Sequence, residues 1–333
     1  MKEFSQMSIE YRLISVNEYK KIIKLWNINI GCLFPIDDML FYGNLKMDTN
    51  FNPNYVVGAY SDNELIGFII FKEYNIDGIA RPSNEKVGNI NSLIVDYKYR
   101  NKGIGSTLLR ICEEKLRESG VKKIELGRDT FHFFPGVPIE CQNLINLVKH
   151  IGYREESISW DLICDLKNTD IDEAINQKKI VLNNNFVIEA LTEDYRDSLM
   201  KFMKEEFPGR WYNDMKIFFG DGMEYRDIII VKDNDEGKVI GFSHIYDKYS
   251  KVIGPSIYWR GLMGENFGGL GPIGISKKFR NKGLGINLFY RCVKTLQNRG
   301  VEKMCIDWTD LLNFYGILNF IPWKTYIHMN KKI

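Results

Sequence analysis

The run Tyr99-Arg100-Asn101-Lys102-Gly103-Ile104-Gly105 returns later in the chain as Phe279-Arg280-Asn281-Lys282-Gly283-Leu284-Gly285. This repetition constrains the fold more than any other feature, because a motif written twice in matched surroundings implies one structural unit written twice. The surroundings do match. Each copy follows an apolar, strand-like run (Ser92 to Val95; Gly271 to Ile275) and opens an amphipathic helical pattern ending near Gly120-Val121 and Gly300-Val301. Each helix leads into another short strand pattern, Lys123 to Leu126 and Lys303 to Asp307. Upstream, a short strand and helical segments precede two alternating runs. In the first half Ser61-Asp62-Asn63 marks the turn between them, and in the second half Asp233-Asn234-Asp235-Glu236-Gly237 does so.

A chain of 333 residues exceeds the usual reach of one hydrophobic core, which agrees with two units. The expected division is a first domain over 1–167, a polar linker over 168–184 and a second domain over 185–333. The pairing of two units in one polypeptide is compatible with a monomer that carries an internal pseudo-dimer.

Forty-five Lys and Arg against 43 Asp and Glu leave no global charge to draw the chain to nucleic acid or to an anionic membrane. The six cysteines lack a CxxC pair and read as core residues of a reducing compartment, with no metal site indicated. No segment reads as a secretion signal or a membrane span, so a cytoplasmic location is expected.

A strand that runs into Arg-x-x-Gly-x-Gly at a helix start is suited to an anion. The first turn of a helix has N–H groups without intrahelical acceptors, and glycine lets a phosphate oxygen approach the backbone. Arg100 and Lys102, or Arg280 and Lys282, add positive charge. The pattern is neither a P-loop, whose Lys follows the glycines, nor a dinucleotide fingerprint, which needs a small residue where Leu108 and Leu288 stand. A glycine pair that merely permits a tight turn is the competing reading, and the second copy argues against it.

Both copies resemble motif A of the GNAT superfamily, Arg/Gln-x-x-Gly-x-Gly/Ala, and the resemblance covers both halves. It implies an α/β fold: two tandem GNAT domains, each a mixed, mostly antiparallel twisted sheet flanked by helices, with a splayed strand pair that admits the thioester of acetyl-CoA. Carried over by position, the cofactor-binding residues are Leu93, Ile94, Val95, Arg100, Asn101, Lys102, Gly103, Ile104 and Gly105 in the first half. In the second they are Ile273, Gly274, Ile275, Arg280, Asn281, Lys282, Gly283, Leu284 and Gly285. The layout is similar to tandem proteins of the mycothiol synthase type, in which the C-terminal half is the active one.

The family's chemistry is direct attack of an amine on the thioester, which requires a proton for the departing thiolate. Asn313-Phe314-Tyr315-Gly316 resembles the helix that supplies it, which makes Tyr315 the donor by resemblance; a core aromatic is the alternative reading. The first half has Val148 at that position, so it is expected to be a degenerate copy. Asp307 and Asp310 are the candidates for general base, or else helix caps with an activated water as the base. Glu206, Arg210 and Trp211 fall where acceptor sites are shaped, although capping and solvation explain them equally. The aromatic insertion Phe131-His132-Phe133-Phe134 is expected to pack between domains or to line a substrate pocket. The expected activity is N-acetylation of a small-molecule amine. A non-catalytic acyl-CoA sensor and an enzyme with another acyl donor are the alternatives.

Overall fold

A computed structural model describes residues 8–74, 86–177 and 185–333. The described residues form two compact units, one ending at Ser159 but including Tyr326–Ile333, the other spanning Trp160–Thr325.

In the first unit β1 (Glu10–Leu13) is followed by α1 (Tyr19–Ile30), α2 (Asp38–Met47), β2 (Val56–Ser61), β3 (Glu64–Glu73) and β4 (Val87–Val95). Next come α3 (Ile104–Glu118), β5 (Lys123–Leu126), a short β6 (Val137–Pro138) and α4 (Gln142–His150). Strands β1 to β4 form an antiparallel meander, and β5 adds to β4 in parallel. The β2–β3 hairpin closes through Asp62 and Asn63 at φ 49° and 64°, the two left-handed residues that a two-residue turn demands. Chain-terminal residues 330–332 pair antiparallel with β5.

β7 (Arg154–Asp165) crosses the boundary between the units, and its residues from Trp160 onward belong to the second. The second unit continues with α5 (Ile171–Asn176), β8 (Phe186–Ala190), α6 (Glu193–Glu206), α7 (Arg210–Gly220), β9 (Ile228–Asp233) and β10 (Lys238–Asp247). It then runs through β11 (Phe267–Ile275), α8 (Leu284–Asn298), β12 (Lys303–Thr309), α9 (Leu312–Tyr315) and the start of β13 (Ile321–Lys332), whose residues from Tyr326 onward belong to the first unit. The plan of the first unit recurs: β8 to β11 are antiparallel, β12 joins β11 in parallel, and residues 160–165 of β7 pair with β12.

The division therefore falls earlier than the 168–184 stretch. Residues 171–176 of that stretch are helix α5, capped where the Asp170 side chain accepts the Glu173 N–H at 2.8 Å. Residues 178–184 lie outside the described residues.

Helices α3 and α8 bury equivalent stripes, Ile104, Leu108, Cys112 and Leu116 in one and Leu284, Leu288, Cys292 and Leu296 in the other. These stripes pack into one core per unit. Both helices stop at a glycine with φ 86°, Gly120 and Gly300, where a left-handed residue lets the next N–H reach back to the last turn. Among the described residues no helix is long and apolar enough to cross a membrane.

Candidate active site

The two repeated loops have the same conformation. Asn101 and Asn281 sit at φ 62° and 61°, and Gly103 and Gly283 at φ 78°. Each glycine is the N-cap of a 15-residue helix. The first-turn N–H groups thus point out of a turn with no side chain at the cap, which is the geometry that accepts phosphate oxygens. Arg100 and Arg280 have a different task from direct charge donation: each Nε donates to the carbonyl of the last strand residue, Val95 or Ile275, at 3.1 Å. They pin the loop to the strand. Lys102 and Lys282 stay exposed, each ammonium about 5 Å above an aromatic ring, Tyr99 or Phe279.

Next to each loop the parallel strand pair comes apart at the same register. Pairing of β4 with β5 ends at Ile90↔Leu126, and that of β11 with β12 at Leu270↔Ile306. Beyond those points Leu93, Ile94 and Val95, like Ile273, Gly274 and Ile275, have no parallel neighbour among the described residues, so this strand edge, apart from the Val95 and Ile275 carbonyls held by the arginines, is open to a ligand. In the first unit this opening is a cavity of about 580 Å³ that reaches from Gly103 and Gly105 past Leu93 and Val95 to Phe134. A thiol-bearing arm with a pyrophosphate at its outer end fits that combination of N–H groups, open strand edge and apolar depth.

The units diverge at the inner end. Leu147 lies against Gly105 as Phe314 lies against Gly285, at 3.2 and 3.8 Å from a Cβ placed on each glycine. The next residues therefore correspond as well, and they are Val148 and Tyr315. Following the matched strands, Asp307 stands where the first unit has Gly127. The first unit has neither a carboxyl nor a phenol at these positions. Phe134 lines its cavity and, with Phe133, packs on Trp26, with Phe41 stacked on Phe133 and Phe34 edge-on to Phe134. The aromatic insertion thus packs against α1 and α2 of its own unit. His132 beside it is buried, its Nδ1 3.1 Å from the Asp129 carbonyl oxygen.

Deeper still, Lys72 is buried and ion-paired with Asp129 at 2.5 Å and with Asp48. Burial opposes its charge, but the two carboxylates hold it protonated.

In the second unit Asp307 keeps some contact with solvent while protein surrounds it on most sides. Burial, reinforced by the charge of Asp161 and opposed by Arg210, pushes its carboxyl up to about 7. Arg210, the first residue of α7, pairs with Asp214 at 3.1 Å and lies 5.3 Å over the Trp308 ring. The Tyr315 hydroxyl is raised above the ordinary phenol value, first by burial and then by the Asp307 charge, so it stays protonated. Its ring packs edge-on to Phe289 and Phe314, 5.1 and 4.9 Å between centroids. His244 on β10 is buried between Tyr246 and Met215, and burial lowers its imidazole to about 3, leaving it neutral.

The other three residues anticipated from sequence have these partners and surroundings. Asp310 is exposed, and in the turn that precedes α9 the Leu311 N–H donates to Thr309 Oγ1 at 3.0 Å. Glu206 accepts from the Ser276 hydroxyl at 2.7 Å and the Lys277 N–H at 3.2 Å. Burial works against its charge, but those hydrogen bonds hold it below the usual carboxylate range. These bonds tie α6 to the segment that leads into the second loop. Trp211 packs into an aromatic cluster with Phe207 and Phe242.

The sequence matches the acetyltransferase (GNAT) family over residues 22–134 and 188–320, one match in each unit. The chain belongs to that family. Comparison with curated proteins found no match. Among solved structures, a GCN5-related glucosamine N-acetyltransferase region of a fungal multi-domain GH3 β-N-acetylglucosaminidase superposes with a TM-score of 0.84 at 23% identity, covering 98% of this chain and 38% of that one. This chain therefore spans well under half of that protein. A GCN5-related N-acetyltransferase from Sphaerobacter thermophilus gives a TM-score of 0.68 at 13% identity over 97% of this chain and 95% of that one. A tandem GNAT protein from the clavulanic acid biosynthesis pathway gives 0.67 at 13% identity over 98% of both. These likenesses are of fold.

GNAT membership supports an acyl-CoA-dependent acyltransferase and accounts for the matched loops and splays of both units. Sequence reasoning missed Asp161, Asp214 and Tyr258. Asp161 lies in what reads as the closing strand of the first domain, and the other two carry no local motif that sets them apart from surface polarity or core packing.

Proposed function

We propose that the chain is an N-acetyltransferase that uses acetyl-CoA, with the second unit performing the reaction and the first retaining a binding-only copy of the cofactor site. The observation that carries this reading is the placement of the Asp307 carboxyl at the open end of the splay, where the first unit has Gly127; burial there raises it to about 7. A base that titrates near neutrality is matched to taking a proton from an amine at physiological pH. As the nitrogen bonds to the thioester carbon, Asp307 accepts the nitrogen's proton. As the carbon–sulfur bond breaks, Tyr315 gives its proton to the thiolate and regains one from solvent. Lys282 and the first-turn N–H groups of α8 hold the pyrophosphate, with Arg280 keeping the loop in place.

The acceptor that suits the surroundings of Asp307 is a small, polyhydroxylated amine such as an amino sugar. Arg210, stacked over the Trp308 ring and paired with the Asp214 carboxylate, places an aromatic ring and charged hydrogen-bonding groups beside Asp307, which suits a ring bearing hydroxyls. The name of the fungal neighbour points to the same class. The test is release of CoA thiol from acetyl-CoA in the presence of glucosamine, other amino sugars, polyamines and amino acids, with product mass measured. Turnover with an amine, lost in Asp307→Asn, supports the reading. CoA binding with no turnover on any amine overturns it in favour of a sensor.

A further inference from the structure

β12 and β7 pair without interruption from Lys303↔Asp165 to Ile306↔Leu162, then resume at Thr309↔Trp160. Two residues of β12, Asp307 and Trp308, thus face a single residue of β7, Asp161. This is a β-bulge, a device that re-aims side chains at sites. Trp308 adopts φ 37°, and its N–H donates to Asp161 Oδ1 at 3.0 Å instead of to a ladder carbonyl. Asp161 is 3% exposed. At the corresponding place in the first unit, the Arg128 N–H reaches a backbone carbonyl, that of Phe134, and no carboxylate is involved.

We propose that Asp161 is a positioning residue for acyl transfer: its side chain holds the bulge that turns Asp307 toward the open splay, and its charge sits beside the base. The inference rests on the reading of Asp307 as that base. The hydrogen bond alone would be served equally by a backbone carbonyl, as in the first unit. A buried carboxylate in its place adds what a carbonyl lacks, a negative charge next to Asp307 that makes it a stronger proton acceptor. The other ionisable groups around Asp307 are Arg210 on α7, which opposes this effect, Tyr246 on β10, Tyr315 on α9 and Cys305 on β12. Tyr258 acts electrostatically on Arg210. Tyr246, Tyr315 and Cys305 are held in their neutral forms by burial, which leaves Asp161 and Arg210, among the described residues, as the charges that set the base.

Three full-length variants separate the two roles of Asp161 from the reading beneath them. Asp161→Asn keeps an oxygen for the Trp308 N–H and removes the charge; Asp161→Ala removes both; Asp307→Asn removes the base. The carboxyl ¹³C resonance of Asp307, assigned by its disappearance in Asp307→Asn, reports titration without any acceptor. The pH profile of acetyl-CoA turnover with glucosamine reports chemistry. In Asp161→Asn the Asp307 midpoint and the rising limb both move down by about one pH unit, with the KM for acetyl-CoA unchanged. In Asp161→Ala kcat falls at least tenfold at every pH. An unmoved midpoint in both Asp161 variants overturns the inference while leaving Asp307 as base. Turnover that survives in Asp307→Asn instead removes the reading on which the inference rests.

Discussion

Asp307 Oδ1 lies 2.6 Å from the position that a Cβ on Gly271 would occupy, and Gly271 sits at φ 146°, a conformation that L side chains rarely adopt. The strand that opens toward the acyl donor therefore has no room for any other residue beside the base. Gly271→Ala is expected to displace Asp307 and to strain the backbone by about 1–3 kcal/mol. Turnover should fall at least tenfold while the KM for acetyl-CoA changes little, and thermal unfolding should confirm that the variant still folds. An unchanged kcat would mean that Asp307 does not need its present position.

The rate should rise with pH through about 7, because Asp307 must lose its proton before it can accept one. Its effect on stability has the opposite sign. A carboxyl whose folded value lies above the unfolded one binds its proton more tightly in the folded state, so its ionisation lowers stability as pH rises from about 4 to 7. Asp307→Asn should thus abolish the rising limb and, at pH 8, melt no lower than wild type. A clear loss of thermal stability at pH 8 would show that the carboxylate is held for the fold.

Tyr315→Phe keeps the ring that packs on Phe289 and removes only the hydroxyl. A loss of turnover of about 10²- to 10⁴-fold is expected if it protonates the thiolate, with acetyl-CoA affinity preserved. Loss of less than twofold would return Tyr315 to the role of a core aromatic. The reciprocal change, Val148→Tyr, should not awaken the first unit, since Gly127 still stands in place of a base there.

Lys72→Met tests how the first unit is held together. Removing the ammonium leaves Asp48 and Asp129 buried without their counter-charge, which is expected to cost about 3–5 kcal/mol. Chemical denaturation should show that loss in the first unit, and the protein that remains folded should keep its kcat.

Much of this architecture was legible in the residues. Glycines at fixed places in a repeated strand–loop–helix declare both turns, because few other residues take φ near 78° at a helix start, and the 3.6-residue stripes of α3 and α8 follow from spacing alone. The contrast between Val148 and Tyr315 was also readable. What escaped was long-range partnership. The run from Ser157 to Leu166 reads as a strand, but nothing in its pattern says that residues 160–165 pair with β12 of the second unit, so Asp161 was hidden. Glu206 looked available for an amine because its partners Ser276 and Lys277 lie on a distant segment. Burial that raises the Asp307 carboxyl comes from elements scattered over the second unit, and no local motif announces it.

The central claim is that both loops take the coenzyme while only the second leads to chemistry. It is tested most directly by placing a carboxylate at each helix cap, Gly103→Asp and Gly283→Asp, because aspartate tolerates the left-handed conformation yet repels a pyrophosphate. Acetyl-CoA binding by calorimetry and acetyl transfer should be measured on both. The account predicts two binding equivalents in wild type and one in each variant, with turnover kept in Gly103→Asp and lost in Gly283→Asp. Turnover lost in Gly103→Asp and kept in Gly283→Asp would contradict it.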